Sequence, residues 1–250
     1  VSALQPESVA VTLANTAIGL DASVFLKISA NSRGEEIIDY LGSKHTAPLV
    51  LPGQAIQEFW NNQLQAVDTV TANLQKKFDG FQNELKKVDP NFGLYADKIN
   101  QLLDEFRAEH GHVYDAATVR RTLAFLEFLR QRASVPYTSR TNLRDIALQR
   151  KKTKTPPGFK DDGDGDFFIW ADFLTGLQWA AAKGATFARA VLVTRDQKLD
   201  WSRAGIAHPI LVAEVRALLG VSFEIWNDEK LSLEITKALT EESPTQEERS

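Results

Sequence analysis

Apolar positions along the chain follow two periods, and the alternation between them predicts the fold class. Short apolar runs stopped by turn residues or an acid read as strands at 16–21, 48–52, 190–194 and 221–226. The third run is continuous, the pattern of a parallel strand buried on both faces. The fourth alternates and is expected to be more exposed. Pro52 stops the second run, and a helix is expected to start near Gln54. Helical patterns separate the strands, which predicts an α/β fold with a mostly parallel central sheet flanked by helices.

The middle of the chain has the helical period alone. Leu64, Val67, Val70, Leu74, Phe78, Phe81, Leu85 and Val88 recur in steps of three and four, then Asp89-Pro90 interrupts. Phe92, Tyr95, Ile99, Leu102, Leu103 and Phe106 form a second amphipathic segment, and a third covers 116–131. The expected organisation is one domain over 1–250, with its core in 15–65 and 155–235 and a helical insertion at 65–150. The segment 240–250 holds four glutamates, one arginine and no apolar anchor, and is expected to be a disordered acidic tail.

Composition narrows the chemistry. A chain of 250 residues with 43% apolar and 25% charged residues can bury a core without disulfides. It has no apolar run of membrane-spanning length and no segment with the layout of a secretory signal, so a cytoplasmic protein without a membrane partner is expected. The absence of cysteine excludes thiolate zinc sites and a cysteine nucleophile. With four histidines, and His110-Gly111-His112 read as a loop, any metal is expected on oxygen ligands, as magnesium, manganese or calcium.

The net charge of −4 conceals an asymmetry. Between 120 and 160 eleven Lys or Arg residues face two acids, and Asp161-Asp162-Gly163-Asp164-Gly165-Asp166 follows at once. Basic residues beside clustered carboxylates suit a polyanion held over a metal, while the plain alternative is a solvated face and a turn. The acidic run is not an EF-hand, because Phe167 stands where its sharp turn needs glycine.

Four acids fall at comparable places. Asp21 ends the first strand, Asp196 follows the third, Glu58 lies a turn into the helix after the second, and Asp166 opens an apolar helix. Ligands of open parallel sheets bind beyond the strand carboxyl ends, so these acids are expected to converge there. Taken singly, Asp21 and Asp166 read better as helix caps, Glu58 as a surface ion-pair residue and Asp196 as a turn residue; taken together, at corresponding places after the strands, they read as one site. Asp172, six residues beyond Asp166, lies 120° away around the helix. Asn62 sits one helical step of four beyond Glu58, as a partner for it or for phosphate, or as a plain surface amide. Asp200 is read as capping a turn or holding Arg195, Thr194 as a further secondary candidate, and Trp170 as a core anchor.

Several local motifs carry a resemblance. They are Ile18-Gly19-Leu20-Asp21 with Ser23-Val24-Phe25, Leu51-Pro52-Gly53 running to Glu58-Phe59-Trp60-Asn61-Asn62, and Pro156-Pro157-Gly158-Phe159-Lys160-Asp161. Gly165-Asp166-Phe167-Phe168-Ile169-Trp170, Thr194-Arg195-Asp196-Gln197-Lys198-Leu199-Asp200-Trp201, and Pro209-Ile210-Leu211 with Glu214 complete the set. In this order they resemble a bacterial PIN-like branch of the PIN-domain nucleases, over roughly 15–65 and 155–235. The stretch between the Pro-Pro-Gly loop and Gly165 is shorter than in that branch, which leaves Asp161 and Asp164 both open as the acid assisting Asp166.

The resemblance implies a Mg²⁺- or Mn²⁺-dependent nuclease acting on RNA, with single-stranded DNA as the other substrate. Asp21, Glu58, Asp166 and Asp196 are its implied metal-binding and catalytic residues. Arg150, Lys151, Lys152, Lys154 and Lys160 are the expected phosphate contacts. A toxin or phage-defence role, with an inhibitor protein or a second copy as partner, is implied by analogy only. The competing function is an inactive PIN-like module that binds nucleic acid or protein. A response-regulator phosphoacceptor fits less well, because an acid pair after the first strand and a lysine ending a later strand are not in place.

Overall fold

The computed structural model describes residues 11–30, 33–63, 116–160 and 162–241, with scattered positions between 77 and 105. Its centre is a four-stranded, all-parallel sheet of β1 (Thr16–Leu20), β2 (Leu49–Val50), β3 (Arg189–Val193) and β6 (Ser222–Trp226), in the order β2-β1-β3-β6. Every β1 residue is buried, as is β3 after Arg189, while β6 alternates at the sheet edge. This is the α/β fold that the apolar patterning predicts, and it is consistent with a PIN-like fold.

Helices cover the sheet: α1 (Ala22–Ala30), α2 (Gly34–Asp39), α3 (Gly53–Glu58), α4 (Ala116–Arg132), α5 (Arg140–Thr153), α6 (Gly165–Ala182), α7 (Pro209–Leu219) and α8 (Asp228–Glu241). Helix α6 is the most apolar of those near the site because it lies inside the molecule. Its Trp170 and Phe173 are buried and pack with Phe223 of β6, at ring-centroid distances of 5.1 and 6.0 Å. Burial of a side chain like Phe173 contributes about 1.5–3 kcal/mol. Trp170 is thus a core anchor, and its indole N–H donates to Glu214 of α7 at 2.7 Å.

The segment following α4 pairs with the sheet. Ser134 N donates to Leu49 O at 2.9 Å, Leu51 N to Ser134 O at 2.9 Å, and Gly53 N to Pro136 O at 2.8 Å. Residues 134–136 therefore extend the β2 edge, although sequence places them in the insertion. The run Ser134-Val135-Pro136 is too short to carry a strand period of its own, and its pairing is supplied by the β2 edge. Helix α4 lies against α1, and its Phe125 and Leu129 belong to the main core. The long apolar stripe of 64–88 and His110-Gly111-His112 lie almost wholly outside the described residues, Phe81 being a helical and exposed exception. Of the expected acidic tail, Thr240 and Glu241 belong to α8, and 242–250 lie outside the described residues. Among the described residues no helix is long and apolar enough to cross a membrane.

A small antiparallel hairpin, β4 (Ser202–Arg203) and β5 (Ile206–Ala207), is not legible in the apolar pattern. Two-residue strands are too short to show a period.

Candidate functional site

In an open, doubly wound parallel sheet the direction of the connections reverses, and the crevice at that point is open to ligands. Here the reversal lies between β1 and β3, since β2 adds outside β1 and β6 outside β3. Asp21 and Thr194 are the first residues beyond these two strands. Asp21 N donates to Val193 O at 3.0 Å, and Thr194 N to Trp226 O at 2.8 Å, so both ends are pinned to the sheet.

Asp21 is 8% exposed, and its carboxylate is held by hydroxyls. Its Oδ2 accepts from Ser23 Oγ at 2.7 Å and from Thr194 Oγ1 at 2.7 Å. Burial holds this carboxyl above its ordinary range and the Asp196 charge adds to the effect; bonds from Ser23, Thr194 and the Ala22 backbone oppose it. Thr194 Oγ1 also accepts the Asp196 N–H at 3.0 Å, and Ser23 Oγ accepts the Arg195 N–H at 2.9 Å. The two hydroxyls thereby lock the β3 loop onto Asp21.

Asp166 reaches the same place from the first turn of α6. It is not the helix cap, since Asp164 occupies that position. Its Oδ2 accepts from Trp201 Nε1 at 3.1 Å and from Lys198 Nζ at 3.1 Å. Lys198 Nζ also lies 2.9 Å from Asp196 Oδ2, and Asp196 Oδ1 accepts the Lys198 N–H at 2.8 Å. Glu58 ends α3 and accepts from Gln54 Nε2 at 2.9 Å. Gly165 is where its carboxylate meets α6, and a Cβ at that position would collide with Glu58 Oε1. Asp21, Glu58, Asp166 and Asp196, with Lys198, Arg195 and Trp201, line one concavity of about 310 Å³. A neighbouring concavity of about 470 Å³ shares Arg195 and Asp196 with it and extends toward the β4–β5 hairpin.

A family model described as a PIN like domain matches residues 94–210. That match supports the PIN-domain superfamily. PIN domains are usually nucleases, and PIN nucleases typically use divalent metals. The matched span includes Asp166, Asp196 and Lys198, whereas Asp21 and Glu58 reach the same concavity from outside it. No curated protein and no solved structure matches the chain.

The acids lining the concavity fit a hard divalent cation by their chemistry, being carboxylate oxygen throughout, from four separate elements. Among the described residues, however, no group of three or more His, Asp or Glu side chains is drawn together closely enough to hold an ion. Between Asp166 and Asp196 stands the Lys198 ammonium.

Other expected site residues lie elsewhere. Asp164 pairs with Lys151 at 2.9 Å and does not line the acidic concavity. Asp161 lies outside the described residues. Asp200 neither caps a turn nor holds Arg195: it is buried and accepts the Gly158 N–H at 2.9 Å, fixing the Pro-Pro-Gly loop. Gly158 has φ +82°, and a Cβ there would press on Asp166, so the loop buttresses that acid. Arg195 instead lies 3.6 Å from Asp228. Asn62 belongs to a π-helical turn, Phe59–Gln63, which breaks the step-of-four register with Glu58; its side chain lies outside the described residues.

The basic stretch divides in two. Arg150 is committed internally, to Glu214 at 2.6 Å and to the Pro156 carbonyl, because α5 is tied through it to α7. Lys151 holds Asp164 and the Asp162 carbonyl. Lys152, Lys154 and Lys160 are exposed. Ser23, Lys198 and Trp201 stand in the motifs that carry the resemblance but are not among the expected site residues. The two-residue spacing of Asp196 and Lys198 was the available signal for one of them.

Proposed function

We propose that the chain is a metal-dependent nuclease that hydrolyses phosphodiester bonds in RNA. The observation that carries this reading is the shared concavity of Asp21, Glu58, Asp166 and Asp196 at the sheet's reversal point. Asp21, Asp166 and Asp196 would hold Mg²⁺ or Mn²⁺. A bound ion of this kind supplies Lewis acidity toward the phosphoryl group and a more acidic water. Glu58 completes the donor set or orients the attacking water, from the end of a helix that Gly165 lets close in. Thr194 and Ser23 hold Asp21 in place through their hydroxyls, so the carboxylate needs no reorganisation on loading. Lys152, Lys154 and Lys160 hold backbone phosphates on the approach, and the larger neighbouring concavity gives the strand room beyond the acids. Action as a cytoplasmic toxin or defence effector with an inhibitor protein rests on the resemblance alone.

The second reading, an inactive PIN-like module, draws on the Lys198 ammonium between two of the acids. One comparison separates the two. Asp21→Asn and Asp166→Asn preserve volume and remove a charge. Each variant is expected to fold, with stability unchanged or raised, and to lose Mn²⁺-dependent cleavage of single-stranded RNA by orders of magnitude. Cleavage by wild type that EDTA leaves intact, or that both variants retain, overturns the proposal.

A further inference from the structure

We infer that Lys198 is an internal counter-cation of the acidic site, bridging Asp166 and Asp196 in the metal-free protein and giving way when a divalent ion binds. The inference rests on the metal-dependent reading above and concerns how that site is loaded. Lys198 Nζ lies 3.1 Å from Asp166 Oδ2 and 2.9 Å from Asp196 Oδ2, so one ammonium serves two carboxylates from different elements. A hard divalent ion takes carboxylate oxygens at about 2.0–2.1 Å, roughly 1 Å closer than the ammonium does. The ammonium therefore occupies the place between Asp166 and Asp196 that an ion bound to both would take. Among the described residues no three-acid group is tight enough for a metal, and Lys198 stands between two of the four acids.

The surroundings separate what moves from what stays. The Lys198 backbone is fixed, its N–H bound to Asp196 Oδ1 at 2.8 Å and its carbonyl accepting from Trp201 N at 3.0 Å and Ser202 N at 3.1 Å. Its side chain is 38% exposed, against 14% for Asp166 and 20% for Asp196. The four-carbon stem can thus carry the ammonium into solvent without disturbing the fold. Asp166 does not follow it, because the Trp201 indole N–H keeps its own bond to the same Oδ2 at 3.1 Å. The arrangement stabilises the crowded acids without metal and makes loading an exchange of one cation for another. Lys198 is a positioning residue here, acting through Asp166 and Asp196.

The test uses the purified full chain with Mn²⁺ and no nucleic acid. Free Mn²⁺ is followed by electron paramagnetic resonance for wild type, Lys198→Met and Lys198→Gln. Removing the competing ammonium is expected to tighten Mn²⁺ binding about tenfold, the equivalent of about 1.4 kcal/mol. It should also lower the thermal midpoint in EDTA, with Mn²⁺ restoring it. A second measurement needs no variant: reductive methylation of Lys198 in wild type, read by mass spectrometry, should run several-fold faster with Mn²⁺ than with EDTA. Equal or weaker Mn²⁺ binding by both variants, or unchanged methylation of an Mn²⁺-loaded wild type, overturns the inference and leaves the nuclease reading standing. Failure of all three proteins to bind Mn²⁺ overturns both.

Discussion

Six residues along α6 separate two aspartates with opposite surroundings. Asp172 is fully buried and accepts five hydrogen bonds: from Gln54 N, Thr138 N, Thr138 Oγ1 and both terminal nitrogens of Arg140, at 2.7–3.0 Å. The guanidinium that neutralises it is itself stacked over Tyr137 and Phe168, with its carbon 4.0 and 4.6 Å from their ring centroids. Asp166 shares its ammonium with Asp196 and faces an open concavity. The lesson concerns compensation. A buried carboxylate given its own rigid cation ties α3, α5 and α6 together. A carboxylate that shares a partly exposed cation beside other acids is the one we propose to exchange it for a metal ion.

The largest expected effect breaks this contrast most directly. Asp166→Asn should abolish cleavage with little change in unfolding free energy. Asp172→Ala should leave the partly buried Arg140 guanidinium and its neighbouring donors without their acceptor and cost about 3 kcal/mol in urea unfolding. Similar stability losses in the two variants would mean that both aspartates are structural.

Another buried ionisable group follows another rule. His45 is fully buried, and neither ring nitrogen has a well-formed hydrogen bond among the described residues. Burial lowers it from about 6.5 to about 4, with the Arg132 charge adding to the shift and the Thr16 backbone opposing it weakly. Its folded value lies below its unfolded one, so the unfolded chain takes up the proton first as pH falls. Stability from this residue is complete above pH 6.5 and declines toward pH 4, by about 3 kcal/mol in all. His45→Phe keeps an aromatic ring and should flatten that part of the pH profile. Urea midpoints at pH 7 and pH 4.5 would check it, and parallel profiles for wild type and variant would refute it.

The smallest effect sharpens the same distinction within the basic stretch. Lys152→Ala, Lys154→Ala and Lys160→Ala should each lower the log–log salt slope of RNA binding by about 0.7 per lost phosphate contact. Arg150→Ala should instead reduce stability, because Arg150 already answers Glu214 and the Pro156 carbonyl. A slope that falls for Arg150 but not for the exposed lysines would reverse the division.

Much of this was readable in the chain, for reasons that differ from residue to residue. The runs that became β1 and β3 are apolar and bounded, and a strand buried on both faces can hardly be written otherwise, so the sheet and its parallel character follow from pattern. Asp21 and Asp196 were legible as site candidates because a position just past a strand is a location in space as well as in sequence. Partnership was not legible. Asp161, Asp164 and Asp166 look alike as letters, and Arg150 reads the same as Lys152. Residues 134–136 join the β2 edge, and Asp200 reaches Gly158 across 42 positions, through contacts that no local period encodes. Local propensity and hydrophobic period determined where the elements lie. Which charge is matched, which is shared and which faces solvent depends on distances of about 3 Å between distant segments, and only the packing of the helices on the sheet decides those.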